Sequence, residues 1–394
     1  MTAFGKFPDA TARSLTTAAV TSALADAGIS ADDVEMVFFG NAASGLITGQ
    51  EMIRGQVALR HTGLLGIPIV NVENACASSS TAFHLAYNAV ASGQVNVALA
   101  VGTEKMAVPD KNRASEATGT AIDLEQQAEL LASLGGVEPA GNRSLFMDVY
   151  ASLTRAYCER SGATPSDFAE VAVKSHAHAA LNPKAQYRTP VTADEVLASR
   201  TISAPLTLLM CSPVGDGSAA VVLTRADRLP WRGGCWPRGG SDRVRVAASV
   251  LKSGQDRTAH GPSSIHRATR QAYESAGLGP EDLDVIEVHD AAAPAELMAY
   301  EELGLCGEGE GPQLLHSCRT RLGGPQVVNP SGGLLARGHP LGATGCAQIV
   351  EIADQLRGRC EGRQVPGARI GLAENAGGFL GTDNAAIAIT ILTT

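Results

Sequence analysis

Aromatic residues are scarce, 4% of a 394-residue chain. That speaks against a β protein with an aromatic-rich core. Basic runs are missing and the net charge is −9, so the electrostatic footprint of a nucleic-acid binder is absent. No apolar stretch reaches the length needed to span a bilayer, and the N-terminus lacks a basic-then-apolar leader. No membrane or nucleic-acid partner is therefore expected. The eight cysteines are scattered without CxxC pairs. A metal site and a disulfide framework are both poor readings of that spacing, and a reducing, cytoplasmic setting is expected. What is present is glycine and alanine in quantity, with 44% hydrophobic residues. Val/Ile/Ala strands and Ala-rich helices in an α/β enzyme fit that balance, and the length allows two or three structural units.

The chain repeats itself. Residues 23–37, Ala-Leu-Ala-Asp-Ala-Gly-Ile-Ser-Ala-Asp-Asp-Val-Glu-Met-Val, match residues 272–286, Ala-Tyr-Glu-Ser-Ala-Gly-Leu-Gly-Pro-Glu-Asp-Leu-Asp-Val-Ile. Each reads as a helix end, a glycine stop, a capped turn and a strand. Cys76 and His339 then each introduce an Ala-rich helix, followed by the strands Val95–Val101 and Ala368–Ala373. Residues 216–224 and 383–390 close the two copies as strands. A duplicated α/β unit follows, each half a mixed sheet covered by helices. The spacing divides the chain into a first half, 1–105 plus 206–230, an inserted loop subdomain, 106–205, and a second half, 244–394. The insert carries helical patterns over Ser144–Ser161 and Phe168–Leu181, and inserts of this size usually cover a site. Trp231–Arg243, rich in Gly, Arg and Trp, reads as the linker between halves.

Cys76 lies in Val-Glu-Asn-Ala-Cys-Ala-Ser-Ser-Ser (72–80), directly ahead of a helical pattern. A thiol there faces the positive end of a helix and unpaired backbone N–H groups, a setting that favours a thiolate and offers donors to an oxyanion. About 260 residues later, Gly-His-Pro-Leu-Gly-Ala-Thr-Gly (338–345) presents His339 ahead of another helix. A cysteine nucleophile with a distant histidine is the arrangement of covalent acyl-transfer enzymes. Among the other candidates, Cys211 and Cys346 read as core, His84 as structural, and His176 and His178 as solvated residues of the insert.

Five blocks in order resemble the thiolase superfamily, and within it the sterol-carrier-protein type and its bacterial relatives. They are Asn-Ala-Cys-Ala-Ser-Ser (74–79), Gly-Thr-Glu-Lys-Met (102–106), His-Asp-Ala-Ala-Ala-Pro (289–294), residues 329–345 from Asn-Pro-Ser-Gly-Gly to Gly-Ala-Thr-Gly, and Glu-Asn-Ala-Gly-Gly (374–378). The resemblance implies a five-layered α-β-α-β-α fold of two similar halves. It implies Cys76 as the nucleophile that takes an acyl group from coenzyme A or another thioester, with His339 as its base. His289 then helps to position an oxyanion, and the backbone N–H groups of Cys76 and Gly377 form an oxyanion hole. Asn329, Gly332 and Gly333 shape the loop that holds His339. No tightly bound cofactor is implied; the coenzyme A thioester is substrate. A homodimer is implied, paired edge to edge through a strand near the nucleophile, here Val95–Val101. For related bacterial chains the resemblance adds a small oligonucleotide-fold partner carrying a zinc ribbon.

The chain departs from the family pattern twice. Family members begin with a strand ahead of Phe4-Gly5-Lys6, which is not seen here. More consequentially, the cysteine that removes a carbon-bound proton in carbon–carbon-forming members corresponds to Ala291 or Asn375, neither of which shuttles a proton. Glu374 would serve as a base only if its side chain turned inward. Cys76, His289 and His339 are enough for acyl transfer to an activated carbon nucleophile, and they resemble the Cys-His-His set of decarboxylating ketosynthases. The expected function is thus a thiolase-like acyltransferase working through acyl-Cys76. An ordinary 3-ketoacyl-CoA thiolase is the alternative, followed by a retro-aldolase and a non-catalytic subunit of a thiolase-like complex.

Overall fold

The computed structural model describes residues 1–110, 112–134, 145–226, 243–256 and 261–394. In the first half the main elements are α1 (Ala12–Ala27), β1 (Met36–Gly40), β2 (Ile69–Val72), α2 (Ser78–Ala91) and β3 (Val97–Glu104). Then come α3 (Asn112–Gly119), α4 (Leu145–Ser161), α5 (Pro165–Ala180) and β4 (Gly217–Thr224). The second half contains β5 (Arg245–Ser253), α6 (Ser264–Ala276), β6 (Val285–Glu287), α7 (Ala293–Glu302), β7 (Val327–Val328), α8 (Thr344–Leu356), β8 (Ile370–Phe379) and β9 (Asn384–Thr393).

Among the described residues one sheet has the order β2-β1-β3-β4 and the other β5-β9-β8-β6-β7. In each, a parallel core (β1 with β2 and β3; β6 with β7 and β8) is flanked by an antiparallel closing strand, β4 or β9. The internal repeat is visible in the backbone. α1 and α6 both stop at a left-handed glycine, Gly28 at φ 66° and Gly277 at φ 67°, and each is followed by a single 3-10 turn and a strand.

Side-chain parity builds the layers. On β3, Val97, Leu99 and Val101 face α1, where they pack with Ala19, Val20 and Leu24. The alternate residues Ala98 and Ala100 face the centre, against Ala82, Phe83 and Ala86 of α2 and Ala347, Ile349 and Ile352 of α8. Small side chains on that face let the two central helices sit close between the sheets. The far face of the second sheet is covered by α5, α6 and α7 through Phe168, Val171, Ala268, Ala272, Leu297 and Tyr300. Each large aliphatic or aromatic side chain buried this way contributes roughly 1.5–3 kcal/mol. The result is α1, sheet, α2 with α8, sheet, then α5 to α7: the five layers expected.

The closeness of the central helices is specific. A Cβ on Gly345, near the start of α8, would lie 1.9 Å from Ser80 Oγ on α2. No side chain fits there, and the N-termini of α2 and α8 are thereby brought side by side. Cys76 precedes one and His339 the other.

Several expectations change. Val97–Glu104 is not an edge: β1 and β4 occupy both its sides, because its continuous apolar run is buried on both faces. The outer strands of that sheet are β2 and β4, and only β2 leads directly into the Cys76 turn. His176 and His178 are buried, each 4% exposed. Their helix α5 is packed on α7 and on the loop 333–337 as well as on the sheet, so it has little solvated face. The hairpin Thr201–Ser203 with Leu206–Thr207 straddles the boundary drawn at 205/206. Of the linker, residues 231–242 lie outside the described residues. Ahead of Phe4-Gly5-Lys6, Thr2 N donates to Ser218 O at 2.9 Å and Gly5 bridges Asp216, so the opening residues run along β4. No helix among the described residues is long and apolar enough to cross a membrane.

Candidate active site

The Cys76 turn is built by short polar side chains bonding their own backbone. Ser78 Oγ donates to Ala75 O at 2.7 Å, and Asn74 N donates to Ser78 Oγ at 3.0 Å. Glu73 accepts from Ala75 N at 2.6 Å. The price is Ala75 at φ 48°, a left-handed conformation costing a β-carbon-bearing residue about 1–3 kcal/mol. Gly377 on β8 closes over the turn: a Cβ there would meet Asn74 O at 2.2 Å and Ala77 N at 2.7 Å.

Cys76 Sγ lies 3.3 Å from His339 Nε2. The tautomer of His339 follows from its other nitrogen. Thr344 Oγ1 donates its proton to Pro340 O at 3.0 Å, so it can only accept from His339 Nδ1–H, 2.8 Å away. The Nε2 lone pair is left facing the thiol. The same logic fixes His289. Ser80 Oγ donates to Asn375 Oδ1 at 2.6 Å, which turns the amide so that Nδ2 donates to His289 Nδ1 at 2.9 Å. His289 therefore carries its proton on Nε2. The two imidazoles meet edge to face with centroids 5.0 Å apart.

Burial sets the charges. It holds both imidazoles neutral: His289 is brought down to about 3, and His339 well below its ordinary value, with His289 and Arg337 adding to the effect. The Cys76 thiol is pushed up to about 12, first by burial, then by the Glu104 and Glu73 carboxylates, against the help of its own backbone N–H. The expected thiolate is thus replaced by a neutral thiol–imidazole pair, because desolvation and two nearby carboxylates outweigh one helix terminus. A pair of this kind moves its proton only when the sulfur attacks.

Supports lie behind these groups. Glu104, from the block 102–106, accepts from Asn41 Nδ2 at 2.9 Å, Ala42 N at 2.9 Å and Gly342 N at 3.0 Å. It ties the loop after β1 to the turn that follows His339. Asn329, at φ 54°, accepts from Val288 N at 2.9 Å and donates to Glu296 at 2.8 Å. Its carbonyl takes His178 Nδ1–H at 2.9 Å, while His178 Nε2 accepts from Leu322 N at 3.1 Å. His178 is a neutral strut, brought down to about 3 mainly by burial. Glu374 does not turn toward the cavity. Its Oε2 accepts from His289 N at 2.7 Å, while Oε1 has no partner among the described residues; burial raises it to about 7. Ser80, Thr344, Glu104 and His178 had no assigned role in the sequence. Ser80 and Thr344 stand at helix starts, where short hydroxyl residues ordinarily read as caps. Asn375, in the block 374–378 with Gly377, orients His289 through its side-chain amide.

The cavity holds about 1210 Å³ and is lined by Cys76, His289, Ala291, His339 and Gly377. Residues of α3 and α4 also line it, as do the exposed Lys6 and Arg200. Cys211 lines it too; it is half-buried, not core, with its thiol turned to Thr207 O at 3.4 Å. Cys346 is buried and bonded to Ser79 O, and His84 bonds Ser249 at 3.1 Å. The donor atoms of Cys76, His289 and His339 lie within 4.8 Å of one another, a spacing a metal would accept. His339 Nε2, however, is already engaged with the thiol, and Glu374 is held at His289 N.

The family models "Thiolase, N-terminal domain" and "Thiolase C-terminal domain-like" match residues 1–227 and 247–390. Acetyl-CoA acetyltransferase of Methanothermobacter thermautotrophicus is 40% identical over 388 residues, covering 97% of this chain and 95% of that one. Sterol carrier protein 2 of Homo sapiens is 36% identical, over 90% of this chain and 64% of that protein. A solved structure described as "Ltp2-ChsH2(DUF35) aldolase" shares the fold with a TM-score of 0.79 at 24% identity, covering 99% of this chain and 95% of that one. With both halves matched and a relative aligned almost end to end, this chain belongs to the thiolase family.

Proposed function

We propose that the protein is a thiolase-like acyltransferase. It takes an acyl group from a coenzyme A thioester onto Cys76 and passes it to a carbon nucleophile. The observation that carries this reading is the 3.3 Å contact between Cys76 Sγ and the unprotonated Nε2 of His339. As the sulfur attacks the thioester carbonyl carbon, its proton moves to His339 Nε2. The bond to the coenzyme A sulfur then breaks, and that sulfur leaves with the proton. The carbonyl oxygen, negative in the tetrahedral intermediate, is met by the backbone N–H groups of Cys76 and Gly377, or by His289 Nε2–H, donors of a kind that contribute roughly 3 kcal/mol each. The exposed Lys6 and Arg200 on the cavity lining suit the phosphates of coenzyme A. Intact mass after mixing with acetyl-CoA tests the reading: an acyl adduct is expected on the wild type and none on Cys76→Ala.

The acceptor step separates this from ordinary thiolase action. With a malonyl-type acceptor, carbon dioxide leaves and the freed electron pair attacks the acyl carbon. The Cys76 C–S bond breaks, and the sulfur takes up a proton from water through His339. No side chain need remove a carbon-bound proton. A 40% identical relative named acetyl-CoA acetyltransferase favours the second reading, condensation and thiolysis of 3-ketoacyl-CoA, with another residue supplying the base. Acid/base help contributes typically 10²–10⁴-fold. The expected result is ready acylation with acetoacetyl-CoA thiolysis near background, and a rise in thiolysis on Ala291→Cys. Efficient thiolysis by the unmodified chain would favour the second reading.

We also infer a two-fold homodimer, paired through β2 in place of β3. An open strand edge calls for cover, and the exposed Met52 and Ile53, 76% and 61%, directly precede the short helix Arg54–Ala58 that packs on this strand. Light scattering should give the mass of two chains, and a monomer with full activity would remove the proposal. A small zinc-ribbon subunit, the partner expected from the resemblance, should raise that mass when co-expressed; an unchanged mass counts against it.

A further inference from the structure

The cavity contains a polar group that the acylation step does not use. Tyr150, on α4, lines it together with Cys76, His289, Ala291 and His339. Its ring is seated: Tyr150 and Cys211 pack on the buried cluster of Ala151, Leu206 and Ala292. That seat is stitched to the histidine loop, since Cys211 bridges Ala292 and Ser212 N donates to Ala291 O at 3.0 Å. The phenol is therefore held beside the stretch 289–292, where the family pattern would place a second thiol and this chain has Ala291.

The hydroxyl has no hydrogen-bond partner among the described residues. Burial, with Cys76, Glu374 and Asp290 nearby, raises the phenol above its ordinary value, so it remains a donor and never a base at working pH. The neighbouring groups are committed. The Cys211 thiol is turned to Thr207 O, and the Asn375 side chain is spent between Ser80 and His289.

We propose that the Tyr150 hydroxyl donates a hydrogen bond to an oxygen of the acyl acceptor, the oxygen adjoining the carbon that attacks acyl-Cys76. This rests on the acyl-Cys76 reading and names the acceptor class: a carbon nucleophile whose negative charge is shared with oxygen, as in a β-dicarbonyl enolate. Tyr150 keeps its proton throughout and acts by stabilising that charge.

The test uses acetoacetyl-CoA, a β-dicarbonyl thioester whose enolate has its own ultraviolet band, bound to Cys76→Ala so that no transfer occurs. Titrating the complex, the enolate should appear at a pH at least about one unit lower with Tyr150 than with Tyr150→Phe added, a tenfold change in the ionisation constant. Phenylalanine keeps the ring and its packing, so a merely structural role would change the melting temperature and leave the titration where it was. Identical titrations, or no enolate with either side chain, overturn the proposal. Intact mass after acetyl-CoA, on the wild type and on Tyr150→Phe, keeps the two ideas apart. Adducts on both with identical titrations remove only the role of Tyr150; no adduct on either removes the acyl-Cys76 reading itself.

Discussion

Cys76→Ala abolishes acyl-adduct formation and lowers acyl transfer at least about 10⁴-fold, the scale on which loss of a covalent nucleophile is felt. The melting temperature should hardly move, since a half-buried Sγ is exchanged for a methyl group at a turn fixed by Ser78, Asn74 and Glu73. The pH profile of acylation on the unmodified enzyme carries the second part of the expectation. His339 must be neutral to accept the thiol proton, and burial holds it so well below its ordinary value. The rate should therefore not fall as pH is lowered from 8 to 6, a range over which an ordinary histidine loses more than half its base form. Nor should it climb between 7 and 9, because the thiol is pushed up to about 12. For the same reason Cys318, which is exposed, should be alkylated ahead of Cys76. Retained transfer in Cys76→Ala would end the covalent reading. A rate that tracks a group near 6.5 would show that His339 is not held neutral.

The two groups that meet at 3.3 Å were legible because each lies inside a continuous run that says what it is for. Cys76 and His339 both stand ahead of Ala-rich helices at matching places in a repeat, and the repeat itself is written in helix stops such as Gly28 and Gly277. The layering follows from the same source. A strand that reads Val-Ala-Leu-Ala-Val, like β3, is buried on both faces. That run also marks it as a central strand, in contrast to β2, whose Asn71 interrupts the apolar pattern. The supports were not legible. His178, Asn375 and Glu104 act through partners 151, 86 and up to 238 residues away, and no local period encodes such pairings. Polar residues on a helix ordinarily face water, but His176 and His178 are buried because α5 has little solvated face. The charge state of Cys76 is hidden from the sequence for a related reason. A helix terminus is visible in the sequence, whereas the burial and the Glu104 carboxylate that outweigh it appear only once the two halves are folded together.

Lys174 is where the largest stability change is expected. It lies on α5, fully buried, and its Nζ bonds Glu296, Tyr300 Oη at 3.1 Å and Val328 O at 3.2 Å. Glu296 in turn accepts from Asn329 Nδ2 at 2.8 Å, and Asn329 accepts from Val288 N, directly before His289. The ammonium is thus the counter-charge of a network that fixes the histidine-bearing end of β6. Lys174→Met fits the space but leaves the Glu296 carboxylate buried and uncompensated, which costs about 3–5 kcal/mol. The chemical-denaturation midpoint should fall accordingly. Adding Glu296→Gln should recover at least half of the loss, because a neutral amide still bonds Asn329 and Tyr300 and no charge is stranded. Acyl transfer at a temperature where both variants stay folded gives the functional reading. The single variant should be slower than the double one, since a displaced Glu296 pulls on Asn329 and through it on His289. A loss below about 1 kcal/mol in Lys174→Met would mean that water reaches the carboxylate and that the network does not hold the site. Equal losses in the single and double variants would assign the cost to packing around the lysine stem, independent of charge.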